Sequence, residues 1–187
     1  LLLSVVAFLA IRAYYRRKTG TLRLDLSASR DSQRMRMFLL VLGVFLVGVL
    51  VWLINPAWMS WAALALPEWL RWVGAGVVVI ALALLIWAHQ TLSASFSGNL
   101  EIREQHKLVT TGPYRRIRHP IYTAILLWSL GLALITANWF VAFLPIAFAV
   151  FFLLRVPLEE KMMLDGFGDE YQDYINRTGR FVPRLMG

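Results

Sequence analysis

The chain has 187 residues, 59% of them hydrophobic, with a mean hydropathy of +0.61 and a formal net charge of +8. That balance is too apolar for a soluble domain of this length and reads as a single integral membrane unit. There is no cysteine, which excludes disulfides, thiolate nucleophiles, Fe–S clusters and Cys-based zinc sites.

Five apolar segments follow in chain order, so the expected fold is all-α and polytopic, with five transmembrane helices. Leu1–Tyr15 comes first and ends at Arg16-Arg17-Lys18. At 1.5 Å per residue it reaches about 22 Å against a hydrocarbon core of ~30 Å, so the reading is a span that begins upstream. The second, Met37–Ile54, is closed by the turn signal Asn55-Pro56. The third is Trp69–Ala88, followed by His89-Gln90, and His89 reads as an interfacial helix-end residue. The fourth and fifth share the charge-free run Ile121–Leu154, which is too long for one span; Asn138-Trp139 near its middle reads as a tight helical hairpin.

The cations fall on alternate loops. Arg16, Arg17, Lys18, Arg23, Arg30, Arg34 and Arg36 lie between spans one and two, and Arg103, Lys107, Arg115, Arg116 and Arg118 between three and four. Arg155, Lys161, Arg177, Arg180 and Arg184 follow, leaving only Arg12 and Arg71 elsewhere. With five spans these segments share one side, which the positive-inside rule makes cytoplasmic, with the N-terminus outside. Trp58, Trp61, Trp69 and Trp72 suit an aromatic belt on the opposite side. The basic charge is thus topological first, and no nucleic-acid partner is expected.

Three pieces of the basic side carry more polar and aromatic residues than a plain loop needs: Ser93–Pro120, "RVPLEE" at Arg155–Glu160, and "FGDEYQDYINRTGRFVPRL" at Phe167–Leu185. In "GPYRRIRHP", Gly112-Pro113 sets a turn and Pro120 suits the first position of span four. His119 then sits at a helix N-terminus, where free N–H groups and the dipole favour a carboxylate or phosphate. Arg115, Arg116 and Arg118 serve equally well as topogenic cations. Arg155 ends an apolar run and is costly there unless paired. If the helix continues through Pro157, Arg155 and Glu159 share a face. If Pro157 starts a new helix, Glu159 and Glu160 lie in its first turn. No GxGxxG, Walker A, HExxH or GxSxG occurs. His89, His106 and His119 are too far apart in sequence to argue for a metal site, and none is expected.

Together, "HKLVTTGPYRRIRHPIY", a following helical hairpin, "RVPLEE" and "FGDEYQDYINRTGRFVP" resemble the isoprenylcysteine carboxyl methyltransferase family of integral membrane enzymes. The likeness covers roughly residues 96–185, and its specificity lies in the order and spacing of all three motifs. It implies a single domain, 1–187, with N-terminal spans at 1–92 and a cofactor-binding and catalytic part at 93–187. It also implies S-adenosyl-L-methionine as methyl donor, S-adenosyl-L-homocysteine as product, and a cytoplasm-facing, non-Rossmann pocket built from the connector before helix four and the C-terminal region. By the same likeness His106, Lys107, Leu108 and Val109 match the segment that cradles the nucleoside. Tyr114 matches the aromatic of G-P-Y. His119, Pro120, Ile121 and Tyr122 match the H-P-x-Y expected around the methionine moiety and sulfonium. Asn99 falls where some relatives place a polar cofactor contact. Arg155 matches the arginine that orients the acceptor carboxylate, and Glu159 the acidic residue beside it and at the cofactor. Relatives often carry Trp where this chain has Phe96.

The implied partners are a lipophilic or prenylated acceptor and membrane lipid. Alternatives from the same motifs are a phospholipid N-methyltransferase, a thiol S-methyltransferase, or a sterol-type reductase using NADPH. A scaffold that binds anionic lipid through a basic face is the non-enzymatic alternative.

Overall fold

The computed structural model describes residues 1–18, 30–96 and 108–184, with side chains at all of these but 16, 30–35 and 94–96. The order is α1 (Leu2–Lys18), α2 (Arg30–Ile54), a 3-10 turn (Pro56–Ala62), α3 (Glu68–Phe96), a second 3-10 turn (Gly112–Arg115), α4 (Pro120–Thr136), α5 (Trp139–Phe167) and α6 (Asp169–Arg177). Among the described residues three helices are long and apolar enough to cross a membrane: Arg36–Ile54, Glu68–Ser93 and Trp139–Phe167. Leu2–Tyr15 and Pro120–Thr136 are shorter apolar helices. All five expected segments are helical, but length alone supports three spans rather than five.

Helix α3 runs about two turns past the expected end at Ala88. Its polar residues do not break it because their hydroxyls bond back within the helix: Thr91 Oγ1 donates to the Trp87 carbonyl at 2.9 Å and Ser93 Oγ to that of His89 at 2.5 Å. His89 is accordingly not a helix-end residue. It is buried inside α3, its ring stacked on Tyr15 of α1 at 4.9 Å.

The turn at Asn138 forms as the sequence suggests. Ala137 takes a left-handed conformation (φ 46°), and Asn138 caps α5 by accepting from the Val141 N–H at 3.3 Å. Pro145 and Pro157 both lie inside α5, which continues through them. Helix α4 packs closely on α3 where two glycines meet. A Cβ on Gly131 would lie 2.9 Å from the Gly74 carbonyl oxygen, so only small residues allow this approach. The core gathers around Trp128, which is buried on α4 and stacked on Phe8 at 4.1 Å.

At one end of the bundle the first 3-10 turn meets the α4–α5 turn. Leu64 N–H donates to the Ala137 carbonyl at 2.6 Å, and Asn138 Nδ2 to that of Met59 at 3.2 Å. At the other end the chain after α6 runs beside the segment before α4. Arg118 N–H donates to Gly179 O (2.9 Å), Gly179 N–H to Arg116 O (3.0 Å) and His119 N–H to Arg180 O (3.1 Å). A Cβ on Gly179 would collide with the Val182 carbonyl, which is why the strap needs glycine there.

Candidate active site

Helix α4 starts at Pro120 with His119 as its cap residue, and this geometry sets the site. Pro120 lacks the N–H that a first helical position leaves unpaired, so the turn into the helix costs little there. Residues His119 and Tyr122 then share one face. Their rings stack in parallel at 5.4 Å, and Tyr122 stacks in turn on Phe152 of α5 at 4.1 Å.

Because α5 continues through Pro157, Arg155 and Glu159 lie one turn apart and pair: Arg155 Nε donates to Glu159 Oε1 at 2.6 Å. The Tyr122 hydroxyl donates to the same Oε1, also at 2.6 Å, while Glu159 Oε2 lies 3.8 Å from His119 Nδ1. The four expected residues His119, Tyr122, Arg155 and Glu159 thus form one connected cluster from two helices. Burial pushes the His119 imidazole below its ordinary pKa of 6.5, against the opposing pull of Glu159 and Glu160. Its Nε2 is buried and lies 3.4 Å from Glu160 Oε1 without hydrogen-bond geometry.

A second charged cluster locks the site from behind. Glu160 is buried, and both its oxygens are held: Arg118 Nε donates to Oε1 at 2.9 Å and Arg180 to Oε2 at 2.6 Å. Arg118 also donates to the carbonyls of Ile175 (3.2 Å) and Thr178 (2.5 Å), which caps the carbonyl end of α6 with a positive charge. The Thr123 hydroxyl donates to Phe181 O and the Tyr174 hydroxyl to Tyr114 O, each at 2.6 Å. Connector, α5 and tail are thereby joined into one unit. Burial raises the phenols of Tyr114 and Tyr174 well above their ordinary value and pushes Tyr171 up to about 12, so all three stay neutral, and Tyr174 donates its proton to the Tyr114 carbonyl.

Other expected residues are spread more widely. Pro120 is buried and Ile121 half-buried at the core edge. Tyr114 is buried in the connector, and Leu108 and Val109 are half-buried in irregular chain before the second 3-10 turn. Asn99, His106 and Lys107 lie outside the described residues. Sequence reasoning casts Arg118 as topogenic and overlooks the pairing of Glu160 with Arg180. A signal exists: consecutive carboxylates on a helix project about 100° apart, so Glu159 and Glu160 face different partners. Tyr171, Tyr174 and Thr178 also recur at helical spacing, and all three are buried.

A groove of about 420 Å³ runs from the cluster along α2 and α5. Its walls include Phe38, Val41, Val150, Phe151 and Leu154, and its polar end is Arg155 with Glu159. This groove, lined by α2 and α5, is distinct from the cofactor pocket expected between connector and tail, whose connector residues 97–107 lie outside the described residues.

Comparison with known proteins places the chain among membrane methyltransferases. A sequence model of the isoprenylcysteine carboxyl methyltransferase family matches residues 72–165. Protein-S-isoprenylcysteine O-methyltransferase B of Arabidopsis thaliana is 37% identical over 121 residues, covering 62% of this chain and 60% of that protein. The cobalt-zinc-cadmium resistance protein CzcN of Cupriavidus metallidurans is 39% identical over 84 residues, 44% of this chain and 38% of that one. A solved eukaryotic intramembrane Ras methyltransferase, an isoprenylcysteine carboxyl methyltransferase, is 27% identical with a TM-score of 0.57 over 85% of this chain and 55% of its own. The chain therefore spans little more than half the length of that enzyme, and the likeness makes it a multi-pass integral membrane protein. By motif order, helix arrangement and family match alike, the chain belongs to the isoprenylcysteine carboxyl methyltransferase family of membrane methyltransferases.

Proposed function

We propose that this protein transfers a methyl group from S-adenosylmethionine to the carboxylate of a lipophilic acceptor of the isoprenylcysteine type. The observation that carries the reading is the position of Arg155, between an apolar groove and the Glu159–Tyr122–His119 cluster. A prenyl or other long apolar chain suits the groove, and a guanidinium suits the carboxylate at its end. Arg155 remains 43% exposed despite its bond to Glu159, so a carboxylate can reach it.

The residues present fit the methyl donor. The buried, unpartnered Nε2 of His119 can bond a ligand group beside the start of α4, where N–H groups favour a carboxylate. The stacked rings of His119 and Tyr122 offer aromatic faces to a cationic sulfur, and Glu159 offers a counter-charge. Leu108, Val109 and Tyr114 supply apolar and aromatic surface for the base, with His106 and Lys107 assigned to the same task, and Asn99 to a polar cofactor contact, from their motif positions.

The donor supplies a methyl on positive sulfur, which passes to the carboxylate oxygen as the C–S bond breaks with its electron pair left on sulfur. No proton moves, so the chain needs no general base. Its part is positioning: Arg155 holds the nucleophile, and Glu159 holds Arg155 in place. A neutral amine has less use for Arg155, which favours the carboxylate reading over N-methylation.

The acceptor enters sideways from lipid along the α2–α5 groove. All five apolar helices cross the membrane in this reading. Helix α4, though only about 25 Å long, connects the Asn138 end of the bundle to the His119 end. The cation-rich end faces the cytoplasm and the N-terminus lies outside.

Calorimetric binding of S-adenosylhomocysteine to detergent-purified protein tests the reading, with NADPH as control. Micromolar binding, lost in His119→Ala, is expected. Binding of NADPH alone points to a reductase and overturns it.

A further inference from the structure

The Tyr122 hydroxyl and the Arg155 guanidinium converge on a single oxygen. Each lies 2.6 Å from Glu159 Oε1, one approaching from α4 and the other from α5. Tyr122 is fixed from behind by its stacks with His119 and Phe152, so its hydroxyl has little freedom to find another partner. Glu159 itself is only 29% exposed and borders an apolar groove, where charges are weakly screened.

Resting on the function proposed above, we infer that Glu159 couples the two substrate sites, so that a carboxylate acceptor and a cationic cofactor each tighten the binding of the other. The reason is competition for one cation. Without an acceptor, Arg155 neutralises Glu159. An acceptor carboxylate on Arg155 draws the guanidinium away and leaves Glu159 with more uncompensated negative charge. A positive group beside Tyr122 and His119 then gains attraction. In the reverse direction, a cation on that side satisfies Glu159 and frees Arg155 for the acceptor, as linkage requires. Methyl transfer removes both charges, leaving an ester and a neutral thioether. The coupling therefore holds the reactants together and releases the products.

The test is a binding matrix on the full chain in detergent. Sinefungin, which carries an amine where the methylated sulfur would be, and S-adenosylhomocysteine are each titrated with and without saturating N-acetyl-S-farnesyl-L-cysteine. The methyl ester of N-acetyl-S-farnesyl-L-cysteine serves as the uncharged control. The acid should tighten sinefungin about five-fold or more, S-adenosylhomocysteine by less, and the ester should tighten neither. The enhancement should vanish in Glu159→Gln and in Tyr122→Phe, which keeps the ring stack but not the hydroxyl. No enhancement in the native protein, or one that survives both substitutions, overturns the coupling. If neither nucleoside binds, the methyltransferase reading falls and the coupling falls with it.

Discussion

The two ends of the helix bundle are closed by different physics. At the Asn138 end the described contacts are neutral: a side-chain amide, an N-cap and backbone hydrogen bonds tie the first 3-10 turn to the α4–α5 turn. At the His119 end, closure depends on charge. Arg118, Glu160 and Arg180 bind connector, helix and tail, and Arg155 with Glu159 lies beside them. A neutral closure needs only local geometry. A charged closure in an apolar setting carries a desolvation cost, which complete pairing offsets, and it leaves a polar surface that can bind polar ligands. The contrast is why the proposed site is assigned to the charged end.

The strongest way to break this contrast is to remove the buried carboxylate. Glu160→Ala leaves Arg118, whose side chain is 8% exposed, with carbonyl partners but no counter-charge. A loss of about 3 kcal/mol is expected in denaturant unfolding in detergent. Loss of less than about 1 kcal/mol would show that the charged closure is not what holds the tail.

Next in size is Arg155→Ala, which should lower kcat/KM for a carboxylate acceptor about 100-fold or more while S-adenosylhomocysteine affinity barely moves. Equal loss of both would remove Arg155 from the acceptor side. Arg155→Lys is not a mild control, because the planar fork is lost with it.

At the neutral end, Asn138→Ala loses an N-cap and a buried bond to Met59 O, together about 2 kcal/mol. Thermal unfolding should report that loss with no change in nucleoside affinity. A change in affinity would mean the two ends are not independent.

The smallest effect is in pH. The folded state holds His119 below its ordinary pKa of 6.5, so the unfolded chain takes up the proton first as pH falls. Stability should be flat with respect to His119 above pH 6.5 and decline below it, and His119→Asn should flatten that decline. An unchanged slope in the variant would assign the pH dependence to other groups.

Much of the bundle is legible in the sequence. Apolar run lengths locate the five helices, and Asn138 announces the hairpin because its side chain can cap a helix start. The end of α3 is not legible, because Thr91 and Ser93 look like loop residues although within a helix their hydroxyls bond the preceding turn. Within the site, Arg155 and Glu159 are readable as an i,i+4 pair, conditional on Pro157 lying inside the helix. Arg118 is not readable as a cap for α6, since the two are separated by α4 and α5 in the chain.

Local composition and spacing are enough to set the all-α membrane class, the clustering of cations between and after the apolar segments and the residue types at the candidate site. Tertiary packing alone settles that Glu159 and Glu160 divide their work, one joining Tyr122 to Arg155 and the other binding Arg118 to Arg180. The reason is that adjacent residues on a helix point in different directions, and what waits in each direction is set by how distant segments pack.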